Sequence, residues 1–188
     1  MTTQDIETEN TIFKKSGGKL LTVNLDNKEY GIPILQAREV VSMQNVYPIP
    51  RTPSFMKGAI NLRGRIIPII DLRIKFELTE QEVNKETCIV VVNINDNTHG
   101  IIVDQLNGVI TIKEEEYEDS PNFGNNINAN FVAGIVKLAN RVIIVLELES
   151  ILDNSELTNI SELLESTIPM TEESNAIQTE IVESKEGE

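Results

Sequence analysis

The chain has 188 residues and a net charge of −14, with 40% hydrophobic residues but only 4% aromatic residues and no Trp. A core is possible, and it must be built from Ile, Val and Leu, which favours strands. The acidic balance argues against a nucleic-acid partner, whose phosphates need a basic surface, and against direct contact with an anionic membrane leaflet.

Residues 1–18 are polar and end in Ser16-Gly17-Gly18, which reads as a flexible lead. That start has neither the basic residues nor the apolar core of a signal peptide, and no apolar run in the chain approaches a membrane span. A cytoplasmic protein is the expectation. From Lys19 onward Leu21, Val23 and Leu25 alternate with Thr22 and Asn24, as strand residues do. Asp26-Asn27 makes a turn, and residues 29–32 pair back. Pro33 suits the first position of a short helix over residues 34–38. Val40, Val41 and Val46 continue extended structure, and Pro48, Pro50 and Pro53 prevent a long helix.

Ala59-Ile60 then leads through Asn61-Leu62-Arg63-Gly64 into Ile66-Ile67-Pro68-Ile69-Ile70. Two apolar runs around such a turn predict a hairpin, with Gly64 supplying positive φ and Arg63 at the tip. Residues 77–87 form a polar loop. Residues 88–94 make a strand that opens on Cys88, and Asn95-Asp96-Asn97 turns it into a return strand over residues 99–103. The single cysteine excludes an intrachain disulfide and reads as a small buried hydrophobe. A short strand covers residues 109–112. Residues 114–130 read as a long polar loop that carries Phe123, and residues 131–138 and 142–146 form a last hairpin. A helix is expected to begin over residues 147–152. Leu157, Ile160, Leu163 and Leu164 give residues 153–165 an amphipathic helical pattern. Residues 166–188 hold six Glu and one Lys and read as a disordered acidic tail.

Short strands separated by regular turns predict an all-β fold with short helices, as a sandwich or barrel. Two similar sets of strands imply two small barrels, one before about residue 76 and one after it. Nothing in the chain selects a catalytic or metal centre. His99 is the only histidine and reads as a solvated turn residue. There is no Gly-rich phosphate loop and no nucleophile elbow, so neither enzyme activity, cofactor nor metal is expected. Charge is unevenly placed: Arg51, Lys57, Arg63, Arg65, Arg73 and Lys75 face only Asp71 in that stretch. Such an island is either solubilising charge or a docking face for an acidic protein surface.

The block GAINLRGRIIPIIDLR, residues 58–73, resembles the CheW family, the adaptors of bacterial chemosensory arrays. Similar blocks stand in register around it. They are Tyr30-Gly31-Ile32-Pro33-Ile34-Leu35 with Arg38-Glu39-Val40, Thr52 to Gly58, Gly100-Ile101-Ile102-Val103-Asp104, and Gly134-Ile135-Val136-Lys137-Leu138 through Glu147-Leu148-Glu149. The resemblance implies two intertwined five-stranded SH3-like β-barrels sharing an apolar core over residues 19–152, followed by the C-terminal helix. It implies a non-catalytic adaptor, a monomer on its own. Its partners would be the regulatory domain of a CheA-type histidine kinase and the cytoplasmic tip of a chemoreceptor, at receptor arrays on the inner face of the membrane. It also implies site residues: Glu39, Asn61, Leu62, Arg63 and Val103 towards the receptor, and Ala37, Val40 and Phe123 towards the kinase. Glu39 and Arg63 would flank the receptor groove, and Phe123 would anchor a second kinase contact. Two other readings stand beside it. A CheV-like coupling protein carries a receiver domain after the adaptor domain, and this chain is short for one. A small-ligand-binding β-barrel would need an empty interior, which dense Ile and Val argue against.

Overall fold

The computed structural model describes residues 16–119 and 129–167. Its strands are β1 (Lys19–Leu25), β2 (Lys28–Pro33), β3 (Ala37–Ser42), β4 (Met56–Leu62), β5 (Arg65–Asp71), β6 (Cys88–Ile94), β7 (Asn97–Val103), β8 (Gln105–Thr111), β9 (Tyr117–Asp119), β10 (Val132–Leu138) and β11 (Arg141–Leu146). Two helices join them, α1 (Leu72–Lys75) and α2 (Asn154–Thr167). The strands form a six-stranded sheet, β8-β1-β2-β11-β10-β9, and a five-stranded sheet, β3-β6-β7-β5-β4. The expectation of five strands in each holds for one sheet; β9 adds a sixth to the other.

The tight hairpins follow from local sequence. Asp26 and Asn27, Arg63 and Gly64, and Asn95 and Asp96 all take positive φ. Positive φ at both central residues is what a two-residue I′ turn requires, and Asn, Asp and Gly adopt it at least cost. The links between β2 and β3, residues 34–36, and between β7 and β8, Asp104 alone, contain no positive-φ residue. There the chain does not reverse; it crosses to the other sheet.

The expected division near residue 76 therefore describes the sequence but not the barrels. Lys19 to Val40 align with Cys88 to Val109 at one constant offset, and Gly58 to Leu72 align with Gly134 to Leu148 at a second. So β1 to β5 correspond to β6, β7, β8, β10 and β11. The bulge between Thr22 and Val23 against β8 has its counterpart in the bulge between Ala37 and Glu39 against β6. The parallel pair of Val145 with Gly31 has its counterpart in Ile69 with Gly100. Each half donates its first hairpin to the other half's barrel, and this exchange intertwines them.

Apolar residues lie on both faces of each sheet, in three clusters. Leu20, Tyr117, Val136, Ile143 and Val145 fill the six-stranded barrel. Ile60, Ile67, Ile69, Ile89, Val91 and Ile102 fill the five-stranded one. The largest cluster lies between them and takes Leu21, Val23, Leu25 and Ile32 from one sheet and Val90, Val92, Ile94, Ile101 and Val103 from the other. Successive strand residues point to opposite faces, so the unbroken apolar run of β6 serves two cores. Each fully buried Ile, Leu or Val contributes roughly 1.5–3 kcal/mol.

Other local expectations change. Residues 34–36 form a turn closed by the Gln36 N–H on the Pro33 carbonyl at 2.9 Å, not a helix, and β3 already begins at Ala37. Residues 147–152 hold one 3-10 turn, Leu148–Ser150, before α2 starts. The polar loop after β8 contains a 3-10 turn, Glu114–Glu116, and β9. The amino-terminal lead before Ser16 and most of the acidic tail lie outside the described residues.

Candidate functional site

The five-stranded barrel closes where the chain after β3 meets β4. Tyr47 and Ala59 exchange backbone hydrogen bonds of 2.8 and 2.9 Å. Gly58 makes this approach possible: a Cβ there would lie 2.1 Å from the Tyr47 carbonyl oxygen, and its φ is +137°. On this barrel a groove of about 290 Å³ is lined by Arg38, Glu39, Leu62, Arg63, Arg65, Ile67, Val91 and Thr98. One wall is β3, the other is the β4–β5 turn, and Val91 and Ile67 form an apolar floor.

Glu39 and Arg63 meet across the groove. Arg63 Nη2 lies 3.0 Å from Glu39 Oε2, and Nη1 donates to Oε1 at 3.4 Å. This is the two-pronged geometry that a planar guanidinium allows. Arg63 is 77% exposed and Glu39 33%. Asn61 shapes the turn, since its Oδ1 accepts the Gly64 N–H at 2.8 Å. Leu62 packs against the core of the five-stranded barrel. Arg38 is held along β3 by a 2.6 Å bond from Nε to Asn93 Oδ1.

Ala37 and Val40 lie on the same edge strand. Ala37 is half-buried against the shared core, and Val40 is exposed at 39%. Val103 does not belong to the surface. It is wholly buried in the shared core, because β7 is covered on both faces, and so it cannot touch a partner. Phe123 lies outside the described residues, between β9 and β10 of the six-stranded barrel.

The cationic island separates into unlike parts. Lys57 pairs with Glu80 at 2.9 Å, and Lys75 pairs with Glu156. Arg73 is buried at 3% exposure against Asp71 and Asp104. Among the described residues no carboxylate pairs with Arg51 or Arg65, and Arg65 lines the groove. His99 is not a solvated turn residue. The turn ends earlier than expected, β7 begins at Asn97, and His99 is 2% exposed. Burial pushes its imidazole below the ordinary pKa, partly opposed by the Asn97 carbonyl. Cys88 is half-buried against the shared core, and burial raises its thiol pKa, which disfavours the thiolate. Among the described residues no three His, Cys, Asp or Glu side chains cluster as a metal site. No helix among them is long and apolar enough to cross a membrane.

Two filled barrels with an open charged groove on one of them define a docking scaffold: the surface, not an interior cavity, is what a partner can reach. The CheW-like domain family matches residues 19–156, and the chain belongs to that family. It is 33% identical over 150 residues to the chemotaxis protein CheW of Klebsiella aerogenes, covering 80% of this chain and 90% of that protein. It is 34% identical over 139 residues to the CheW of Bacillus subtilis, covering 74% and 89%. The chemotaxis protein CheV3 of Helicobacter pylori is 26% identical over 131 residues, and the match spans only 42% of that longer protein. Among solved structures, the scaffolding protein TtCheW from Thermoanaerobacter tengcongensis superposes with a TM-score of 0.68 at 35% identity, covering 74% of this chain and 94% of that one. The chain is thus a chemotaxis coupling adaptor of the CheW type, with the double-barrel fold.

Proposed function

We propose that the chain joins the regulatory domain of a CheA-type histidine kinase to the cytoplasmic tip of a chemoreceptor and catalyses nothing itself. The observation that carries this reading is the Glu39–Arg63 pair. It is two-pronged, exposed, and set at the mouth of a groove with an apolar floor. A surface ion pair adds under about 1 kcal/mol to stability, which leaves recognition as the reason to place one there. Glu39, Leu62 and Arg63 contact the receptor; Asn61 sets the turn, and Val103 anchors the end of β7 in the shared core. Ala37 and Val40, on the same edge strand, contact the kinase, with a second kinase contact from Phe123.

The burial of His99 supports the non-catalytic part, since a desolvated imidazole out of reach of solvent is a poor phosphoacceptor or base. The filled interior of each barrel supports surface docking over binding of a small ligand inside. The deciding experiment sediments receptor-containing membranes with the chain and a CheA-type kinase. The kinase should co-sediment only when the chain is present.

A further inference from the structure

A buried polar network ties the two barrels together at one point. Arg73, in α1 beyond β5, grips Asp71 with two bonds, Nε to Oδ1 at 2.9 Å and Nη2 to Oδ2 at 2.7 Å. Its remaining arm donates to Asp104 Oδ1 at 2.7 Å and to the Gln81 carbonyl at 3.2 Å. Asp104 is the single residue between β7 and β8, where the chain leaves the five-stranded barrel for the six-stranded one. Its other oxygen accepts the Asp26 N–H of the β1–β2 turn at 2.7 Å, and its own N–H donates to the Asn24 carbonyl at 3.0 Å. One guanidinium thus connects Asp71 of one barrel, through the crossover, to the β1–β2 hairpin of the other.

The second crossover is tied without a guanidinium: the Asn95 side-chain amide donates to the Glu149 carbonyl at 3.2 Å, and the Asn93 N–H to the Gln36 carbonyl at 2.9 Å. In the alignment of the two halves Asp71, Arg73 and Asp104 correspond to Glu147, Glu149 and Leu35. Glu149 stands where Arg73 does, so no guanidinium is supplied from that position, and Leu35 is exposed. Much of the remaining barrel contact is apolar, including the stacked rings of Phe76 and Phe131 at 3.9 Å, and its other polar ties, such as Asn95 to Glu149, are single bonds without a charged fork. Apolar contact is non-directional and tolerates small rotations, whereas bonds of fixed fork geometry do not.

We infer that Arg73 is a positioning residue of the adaptor, one that sets the angle between the two barrels and so the angle between the partner contacts they carry. This rests on the proposed function, in which Ala37, Val40, Glu39 and Arg63 act from the five-stranded barrel and the loop bearing Phe123 from the six-stranded one. Closing an ordered array from bivalent adaptors demands a fixed angle, because effective concentration falls when the geometry is wrong.

The test starts with the unaltered chain alone. The Asp26 amide should exchange with solvent about 1000-fold or more slowly than an unstructured amide; exchange within about tenfold of the free rate overturns the inference. Next, spin labels are placed at Ser42→Cys and Asn140→Cys, exposed sites on the two barrels, in a Cys88→Ala background. Asp104→Asn and Arg73→Lys should broaden the inter-barrel distance distribution at least about twofold, because each keeps the side chain's size and loses the charged fork. Binary kinase affinity should stay within about twofold while array assembly falls, a split that a general loss of stability does not produce. An unchanged distance distribution in both variants overturns the inference. These distances need no partner, so failure of kinase or receptor binding would count against the proposed function and leave the barrel angle measured.

Discussion

Arg63 and Glu39 face each other across the mouth of the five-stranded barrel, 3.0 Å apart, one on a hairpin tip and the other on an edge strand. That arrangement makes charge reversal informative. Arg63→Glu and Glu39→Lys should each remove receptor-dependent kinase activation, since losing one partner of a charge pair desolvated on binding costs roughly 2–5 kcal/mol. Because the two side chains meet, the double reversal should recover part of the activity. Melting temperatures should barely move, the pair being exposed. A coupled kinase assay with receptor membranes reads all three variants.

Arg63 also carries backbone strain. It takes φ +53°, a region that Asn and Gly tolerate better than Arg. Arg63→Asn should hold or raise stability by about 0.5–1 kcal/mol while abolishing receptor coupling. Urea unfolding set beside the kinase assay checks it. A loss of stability would mean that the ion pair, not partner binding, is why Arg stands there.

Gly58→Ala should damage the fold. The added Cβ would lie 2.1 Å from the Tyr47 carbonyl at a φ of +137°. Overpacking of this kind costs about 1–3 kcal/mol, and positive φ adds about 1–2 more. Denaturant titration should show the loss, and exchange at the Tyr47 and Ala59 amides should rise with it.

His99 gives the chain an acid sensitivity. Its folded pKa lies below the ordinary 6.5 because burial disfavours the charged ring. The unfolded chain therefore takes up the proton first. The stability contributed by neutral His99 is complete above pH 6.5 and falls as pH drops below that value towards the folded pKa. In His99→Phe, which cannot titrate, the decline in melting temperature between about pH 7 and pH 5 should be shallower than in the unaltered chain. Parallel curves would remove His99 as the cause.

The strands and turns were legible because alternation and turn chemistry are local. Asp26-Asn27, Arg63-Gly64 and Asn95-Asp96 declare hairpins in any context. Residues 34–36 misled because Pro33 suits a helix start, yet the next strand begins after only a single turn. The pairing of strands was not legible in the same way. Which sheet β6 joins depends on the crossovers at residues 34–36 and Asp104, and no residue there declares which sheet the chain enters next. Glu39 and Arg63 were singled out through family likeness; that they pair with each other is legible only in the structure. Val103 was misplaced because a strand residue's sequence does not say whether one face or two are covered. The Arg73 network was missed because its guanidinium looked like one more surface cation; only the distant Asp104 and Asp26 give it another meaning.

The most direct test reconstitutes three purified parts: receptor-bearing membranes, a CheA-type kinase and this chain. Autophosphorylation of the kinase should become receptor-dependent only when the chain is added, and removing the chain should abolish that dependence while basal kinase activity stays. A kinase that responds to receptors equally well without the chain, or one that never responds with it, would contradict the account.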